Sequence, residues 1–308
     1  MREYLLIIFA GLLATSLYNF FSCLLRALGN STVPLVFLAV SAILNIAWDL
    51  LFVAVFHWGI AGAAYATIFA QYVSGIGILL YVLFRCRSLF PERKDLCFDG
   101  GILKEIAGLS SLTCLQQSVM NFGILMVQGL VNSFGATTMA AFAAAVKIDT
   151  FAYLPVQDFG NAYSTFIAQN YGAGNKERIR RGTKESFAIS TAFSLVISAL
   201  VFAFAAPLMQ IFVSSAETAV IASGVRYLRI EGAFYFGIGC LFLLYGYYRA
   251  IKRAEMSVVL TVISLGTRVL LAYVLSATFL GETGIWMAIP IGWILADLTG
   301  LLYMRKTW

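Results

Sequence analysis

Nine apolar stretches, each long enough to cross a bilayer, follow one another along this chain with short polar breaks between them. They lie at residues 4–28, 33–56, 59–84, 107–134, 136–171, 186–213, 230–251, 256–280 and 284–304. A helix needs about 20 mostly apolar residues to span hydrocarbon. In lipid every backbone N–H and C=O must be bonded within the protein, so only helices and closed barrels can cross. A barrel would show apolar/polar alternation in segments of about 10 residues, and these stretches do not alternate. The chain therefore reads as an all-α polytopic membrane protein with nine transmembrane helices. Composition agrees: 61% of the residues are hydrophobic and only 12% are charged, against about 25% charged in a soluble domain. Met1 to Leu28 reads as a full span without a small-residue cleavage site.

The net charge of +6 invites a nucleic-acid reading, but 16 of the 21 basic residues sit in clusters after alternate stretches. These clusters are Arg26; Arg85, Arg87, Arg93, Lys94 and Lys104; Lys176, Arg178, Arg180, Arg181 and Lys184; Arg249, Lys252 and Arg253; Arg305 and Lys306. With residues 216–229 taken as an extension of the seventh stretch, the intervening loops carry no Lys or Arg. Cytoplasmic loops are enriched in Lys and Arg. The alternation predicts a multi-pass protein of the plasma or inner membrane, with a cytoplasmic C-terminus and an external N-terminus. Its partners are the bilayer and small molecules, not nucleic acid. Cys23, Cys86, Cys97, Cys114 and Cys240 show no metal or disulfide spacing, and Cys86 and Cys97 share a basic loop placed in the reducing cytoplasm.

The chain also repeats itself. Tyr4-Leu5, Ile7, Arg26-Ala27 and Ser41 recur as Tyr227-Leu228, Ile230, Arg249-Ala250 and Ser264, at an offset of 223. Gly59, Gly62, Ala66 and Leu79-Leu80-Tyr81 recur as Gly281, Gly284, Ala288 and Leu301-Leu302-Tyr303, at an offset of 222. The first three stretches thus match the last three in parallel orientation, and the middle three have no earlier counterpart. Transporters are often built from such repeats, with binding sites at the repeat interface. The organisation expected is residues 1–84 as the last three helices of an N-terminal lobe, 85–104 as a cytoplasmic inter-lobe loop, and 105–308 as a complete six-helix C-terminal lobe. A full repeat would need roughly 120 further N-terminal residues. The chain is then expected to be truncated, unable to transport by itself, and monomeric when full length.

Polar residues within spans are costly and normally face a protein interior or a wet cavity. In stretch 107–134, Ser110, Thr113, Cys114, Gln117, Asn121, Gln128 and Asn132 fall on one helical face. They read as cavity lining, or else as interhelical hydrogen bonding. Stretch 136–171 carries Lys147, Asp149, Tyr153, Gln157, Asp158, Asn161 and Thr165, with Pro155 expected to kink it. Asp149 and Asp158 are the candidates for coupling-ion chemistry, because an ion carrier needs a carboxylate whose charge changes with exposure. A fixed ion pair with Lys147 is the competing reading. Asn45 and Asp49 continue the candidate pathway in stretch 33–56, although Asp49 and Arg268 also fit structural roles near helix ends. Glu231 and Asp297 fit helix-end anchors as well as ion ligands. No P-loop, HExxH or His/Cys cluster occurs, so no enzyme activity and no cofactor beyond a coupling H+ or Na+ are expected.

Leu25-Arg26-Ala27-Leu28-Gly29-Asn30-Ser31-Thr32-Val33-Pro34 and Leu44-Asn45-Ile46-Ala47-Trp48-Asp49-Leu50 resemble the fourth-helix exit loop and fifth helix of multidrug and toxic compound extrusion (MATE) transporters. Leu154-Pro155-Val156-Gln157-Asp158-Phe159-Gly160-Asn161 and Ala168-Gln169-Asn170-Tyr171-Gly172-Ala173-Gly174-Asn175 resemble their eighth helix and its exit. The resemblance implies that the nine stretches are helices 4–12 of a twelve-helix, two-lobe antiporter. It implies extrusion of cationic or amphipathic compounds against H+ or Na+ by alternating access. Some members carry a Glu in the seventh helix and an Asp in the tenth; here Gln116-Gln117 and Ile238 stand there. The alternative readings are a lipid-linked saccharide flippase of the same superfamily and a non-transporting fragment.

Overall fold

The computed structural model of the chain describes residues 2–87 and 98–307, and every described secondary-structure element is helical. Residues Met1–Asp99 and Gly100–Trp308 form two compact units. The first holds α1 (Arg2–Ala10), α2 (Leu12–Ala27), α3 (Thr32–Asp49) and α4 (Gly59–Arg85), and α3 runs on as a π-helical turn over Leu50–Val55. The second holds α5 (Gly100–Ser133), α6 (Ala136–Gly172), α7 (Lys176–Gln210), α8 (Thr218–Gly232), α9 (Tyr235–Ala250), α10 (Ala254–Ser276) and α11 (Glu282–Thr307). Among the described residues eight spans are long and apolar enough to cross a membrane, α1 and α2 forming one of them; the bent pair α8–α9 makes a ninth. Large apolar side chains such as Leu13, Ile43, Phe151 and Leu302 are exposed, as a lipid-facing surface requires.

Three boundaries differ from the sequence expectation. Helix α5 starts at Gly100, inside the segment expected as loop, and residues 88–97, with Arg93, Lys94 and Cys97, lie outside the described part. The basic segment 176–184 is not a loop either: it forms the first turns of α7, opened by Asn175, whose Oδ1 accepts from the Arg178 amide at 3.0 Å. That is an ordinary N-cap, and the basic residues after it belong to helix that projects from the apolar segment. Finally, α6 continues as one helix through Pro155. The backbone departs from helical angles in α7 instead, at Phe204 (φ −105°), three residues before Pro207.

The internal repeat is visible in the backbone of each unit. The first unit breaks its leading span at Gly11, between α1 and α2; the second breaks its counterpart around Phe234, at the same offset of 223. Gly59 and Gly281 both take positive φ, +56° and +53°, where the chain turns into α4 and α11, a conformation that glycine adopts without the steric cost of a Cβ. A side chain on Gly62 would meet the Phe52 carbonyl oxygen at 3.1 Å, and one on Gly284 would meet the Leu275 carbonyl oxygen at 2.8 Å. These are matching contacts in the two copies.

The core of the second unit is aromatic at one end and closely packed backbone at the other. Phe142 of α6 stacks on Trp286 of α11 at 5.6 Å, and Tyr227 of α8 meets that indole edge-on at 4.9 Å. Further along, α6 crosses α9 through glycine: a side chain on Gly246 would lie 2.6 Å from the Gly160 carbonyl oxygen. Ser164 Oγ donates to the Gly246 carbonyl at 2.9 Å. Small residues of this kind let membrane helices approach closely, where lipid supplies no hydrophobic drive between them.

Candidate functional site

The break between α8 and α9 bends the span by 51°. At the break the Phe234 amide donates to the Glu231 carbonyl at 2.9 Å, and the Gly237 amide to the Phe234 carbonyl at 2.8 Å. Glu231, in the last turn of α8, and Tyr235, the first residue of α9, both turn inward and are buried. Asp149 of α6 meets them there. It is 7% exposed and Glu231 is 6% exposed. The Tyr235 hydroxyl donates to Asp149 Oδ1. Tyr227 stands beside both acids, and the two carboxyls lie within interaction range of one another. Arg268 of α10 is within electrostatic range of Asp149, Glu231 and Tyr227. Asp149 Oδ2, Glu231 Oε2 and Arg268 Nε are buried atoms without a hydrogen bond. Polar groups buried in this way are normally satisfied, and charges so deep in an apolar medium mark ion pathways.

The repeat shows that this cluster is not needed to build the break. At the offset of 223, Glu231 corresponds to Ile8, Tyr235 to Leu12 and Arg268 to Asn45. The first unit makes its break with apolar and neutral residues; the second replaces them with an acid, a phenol and a cation.

Of the expected residues, Asp149, Glu231 and Arg268 thus lie in this cluster, and the others do not. Asp158, nine residues further along α6, is exposed and on another face. Lys147 pairs with neither acid among the described ion pairs; its Nζ lies 5.7 Å over the Phe212 ring, on the wall of an open pocket of about 560 Å³. Gln117, Asn121 and Gln128 are exposed on α5, whose buried face toward the unit's interior is Gln116, Gly123, Val127 and Val131. Tyr153 stacks on Phe242 at 6.1 Å. Asn161 Oδ1 accepts from Arg249 at 3.2 Å, at the far end of α9. In the first unit Asn45 Nδ2 reaches Thr67 Oγ1 at 3.5 Å, and Asp49 has a buried oxygen without a hydrogen bond where α3 passes into the π-helical turn. Asp49 is the last residue of α3, and the π-helical turn carries the helix on to Val55. Asp297 is not at a helix end: it is 8% exposed, midway along α11, beside Cys240.

Comparison with known proteins decides the family. The sequence profile of the MatE family matches residues 112–274. The probable multidrug resistance protein YpnP of Bacillus subtilis is 34% identical over 307 residues, covering 99% of this chain and 67% of that protein. The chain belongs to the MATE family. A second MATE relative, the probable multidrug resistance protein NorM of Thermotoga maritima, is 28% identical over 98% of this chain and 66% of its own length. This chain thus spans about two thirds of the length of these relatives. The fold is also that of a solved MATE transporter in an outward-facing conformation, with a TM-score of 0.93 at 24% identity, over 99% of this chain and 68% of that one. MATE proteins are transporters, so the expectation of no enzyme activity stands on the family. Within this MATE chain the candidate positions of the seventh and tenth helices are Gln116, buried on α5, and Ile238, packed against the core on α9. The buried acids of the second unit are elsewhere, at 149, 231 and 297.

Proposed function

We propose that the protein extrudes cationic or amphipathic small molecules by alternating access, in exchange for an inward-moving H+ or Na+ that binds at Asp149 and Glu231. The observation that carries the reading is the pair itself: two buried carboxyls at a broken span, each with an oxygen free of hydrogen bonds. Discontinuous membrane helices typically form ion and substrate sites, because a break frees groups that a continuous helix would bury in its own ladder. The substrate class is supported by the relatives, which are named as multidrug resistance proteins. In this reading the two compact units are parts of the two lobes and the exposed polar face of α5 lines the drug path. The protein works as a monomer in the plasma or inner membrane with its C-terminus in the cytoplasm. The test is drug efflux from cells expressing the gene's complete product: Asp149→Asn should reduce it to background with normal membrane insertion. Efflux equal to the unaltered protein would remove Asp149 from the coupling site.

A further inference from the structure

We infer that a groove between α7 and the end of α11 binds an anionic phospholipid, its phosphate on Lys184 and Arg305 and its acyl chains on the leucines beside them. The inference is independent of the coupling ion and of the extruded compound.

Each wall of the groove runs from a cation into apolar side chains. On α11, Leu298, Leu301, Leu302 and Arg305 stand at i, i+3, i+4 and i+7, one face of a helix. On α7, Lys184 and Phe187 stand three apart and so share a face. Lys184 precedes the apolar stretch 186–213, and Arg305 follows the stretch 284–304. In spans that cross in opposite directions, both cations come to the same edge of the membrane. That edge is the cytoplasmic one in the orientation proposed above. The fold joins the two faces: all six residues line one groove of about 570 Å³. From Leu298 to Arg305 its wall rises about 10 Å, at 1.5 Å per residue. That height takes a phosphate head group and the first methylenes of its chains.

The charges decide the occupant. No acid lines the groove, and among the described residues neither Lys184 nor Arg305 has an ion pair. Thr183, on the same wall, already shares a hydrogen bond with the Tyr163 hydroxyl at 2.8 Å. The two cations are therefore what remains to meet a head group. The neighbouring groove on α7 is different. There Arg181 donates to Glu185 at 2.8 Å, Arg178 lies 5.5 Å over the Phe166 ring, and Glu177 adds a second acid. Its cations are balanced within the protein, and those of the α7–α11 groove are not. Leu298, Leu301 and Leu302 are exposed. A soluble phosphate would leave them uncovered, whereas a lipid covers them with its chains while its phosphate meets the cations. Basic pockets between membrane helices hold anionic head groups in this way.

The test is native mass spectrometry of the gene's complete product, purified in detergent and titrated with phosphatidylglycerol or with phosphatidylcholine of the same chains. At about fivefold per cation beside an anionic head group, the first phosphatidylglycerol should bind about 25-fold more tightly than phosphatidylcholine. Equal affinities would overturn the inference. Changing Lys184→Gln and Arg305→Gln together should remove the preference and leave phosphatidylcholine binding unchanged, which also reports that the variant is folded. A preference that survives would overturn the inference. Lys176→Gln with Arg180→Gln, which removes the same charge from α7 outside the groove, should keep the preference. An equal loss there would reduce it to general basicity and overturn the site. Glycerol phosphate, a head group without chains, should not displace the bound lipid; displacement would overturn the assignment to a lipid.

Discussion

At the scale of single residues, the account separates two aspartates that share one helix. Asp149 is buried against Tyr235 and Glu231, and Asp158 is exposed. Asp149→Asn should abolish gradient-driven efflux, while Asp158→Asn should leave most of it. Transport assays on the paired variants check this, and equal loss in both would merge their roles. Glu231→Gln should behave like Asp149→Asn, because either change removes one carboxyl of the proposed ion site. Asp149 was legible from the sequence as an acid inside a span. Its partners were not, since helical periodicity fixes a face relative to a helix's own axis and not the neighbour that face meets. Glu231 looks like a helix-end residue until the 51° break turns it inward. The signal that could have decided between its two readings, helix-end anchor and ion ligand, was the repeat: an acid and an arginine stand in the second copy where the first has Ile8 and Asn45.

At the scale of elements, close contacts hold the second unit at two levels. The α6–α9 crossing depends on Gly160 and Gly246. Gly246→Val should cost about 1–3 kcal/mol through overpacking, whereas Gly108→Ala, where no atom lies near the added carbon, should change little. Thermal unfolding in detergent compares them; equal melting points would contradict the crossing. Near the other end, Glu282 at the start of α11 accepts from Thr138 of α6 at 2.9 Å, Ser223 of α8 at 3.1 Å and Arg226 of α8 at 3.3 Å. Glu282→Ala should speed hydrogen exchange at the starts of α6 and α8 without altering the Lys252–Glu105 pair between α5 and the α9–α10 turn. Uniform protection would mean that the aromatic cluster of Phe142, Tyr227 and Trp286 suffices there. Span positions followed from hydropathy, because the membrane imposes one length scale on all of them. The helical start of α7 did not: its basic residues carry the expectation of a cytoplasmic side but say nothing of whether the segment is coil or helix.

At the scale of the whole molecule, the repeat and the basic clusters together describe a multi-pass protein, and the buried acid pair lies in its second unit. The basic alternation expects Cys86, beside Arg85 and Arg87, to face the cytoplasm. An impermeant thiol reagent should label it only after cells are permeabilised; strong labelling of intact cells would invert the topology. The exposed polar residues of α5, Gln117, Asn121 and Gln128, belong to the proposed drug path, and their legibility from sequence ends at the face they share. The central claim is that an ion held by the buried acid pair drives extrusion. Its most direct measurement is uptake of a fluorescent organic cation into proteoliposomes that contain the gene's complete product, under an imposed proton gradient and, separately, an imposed sodium gradient. The account predicts accumulation under one of the two gradients, and none under either in Asp149→Asn. Accumulation that persists undiminished in Asp149→Asn would contradict it.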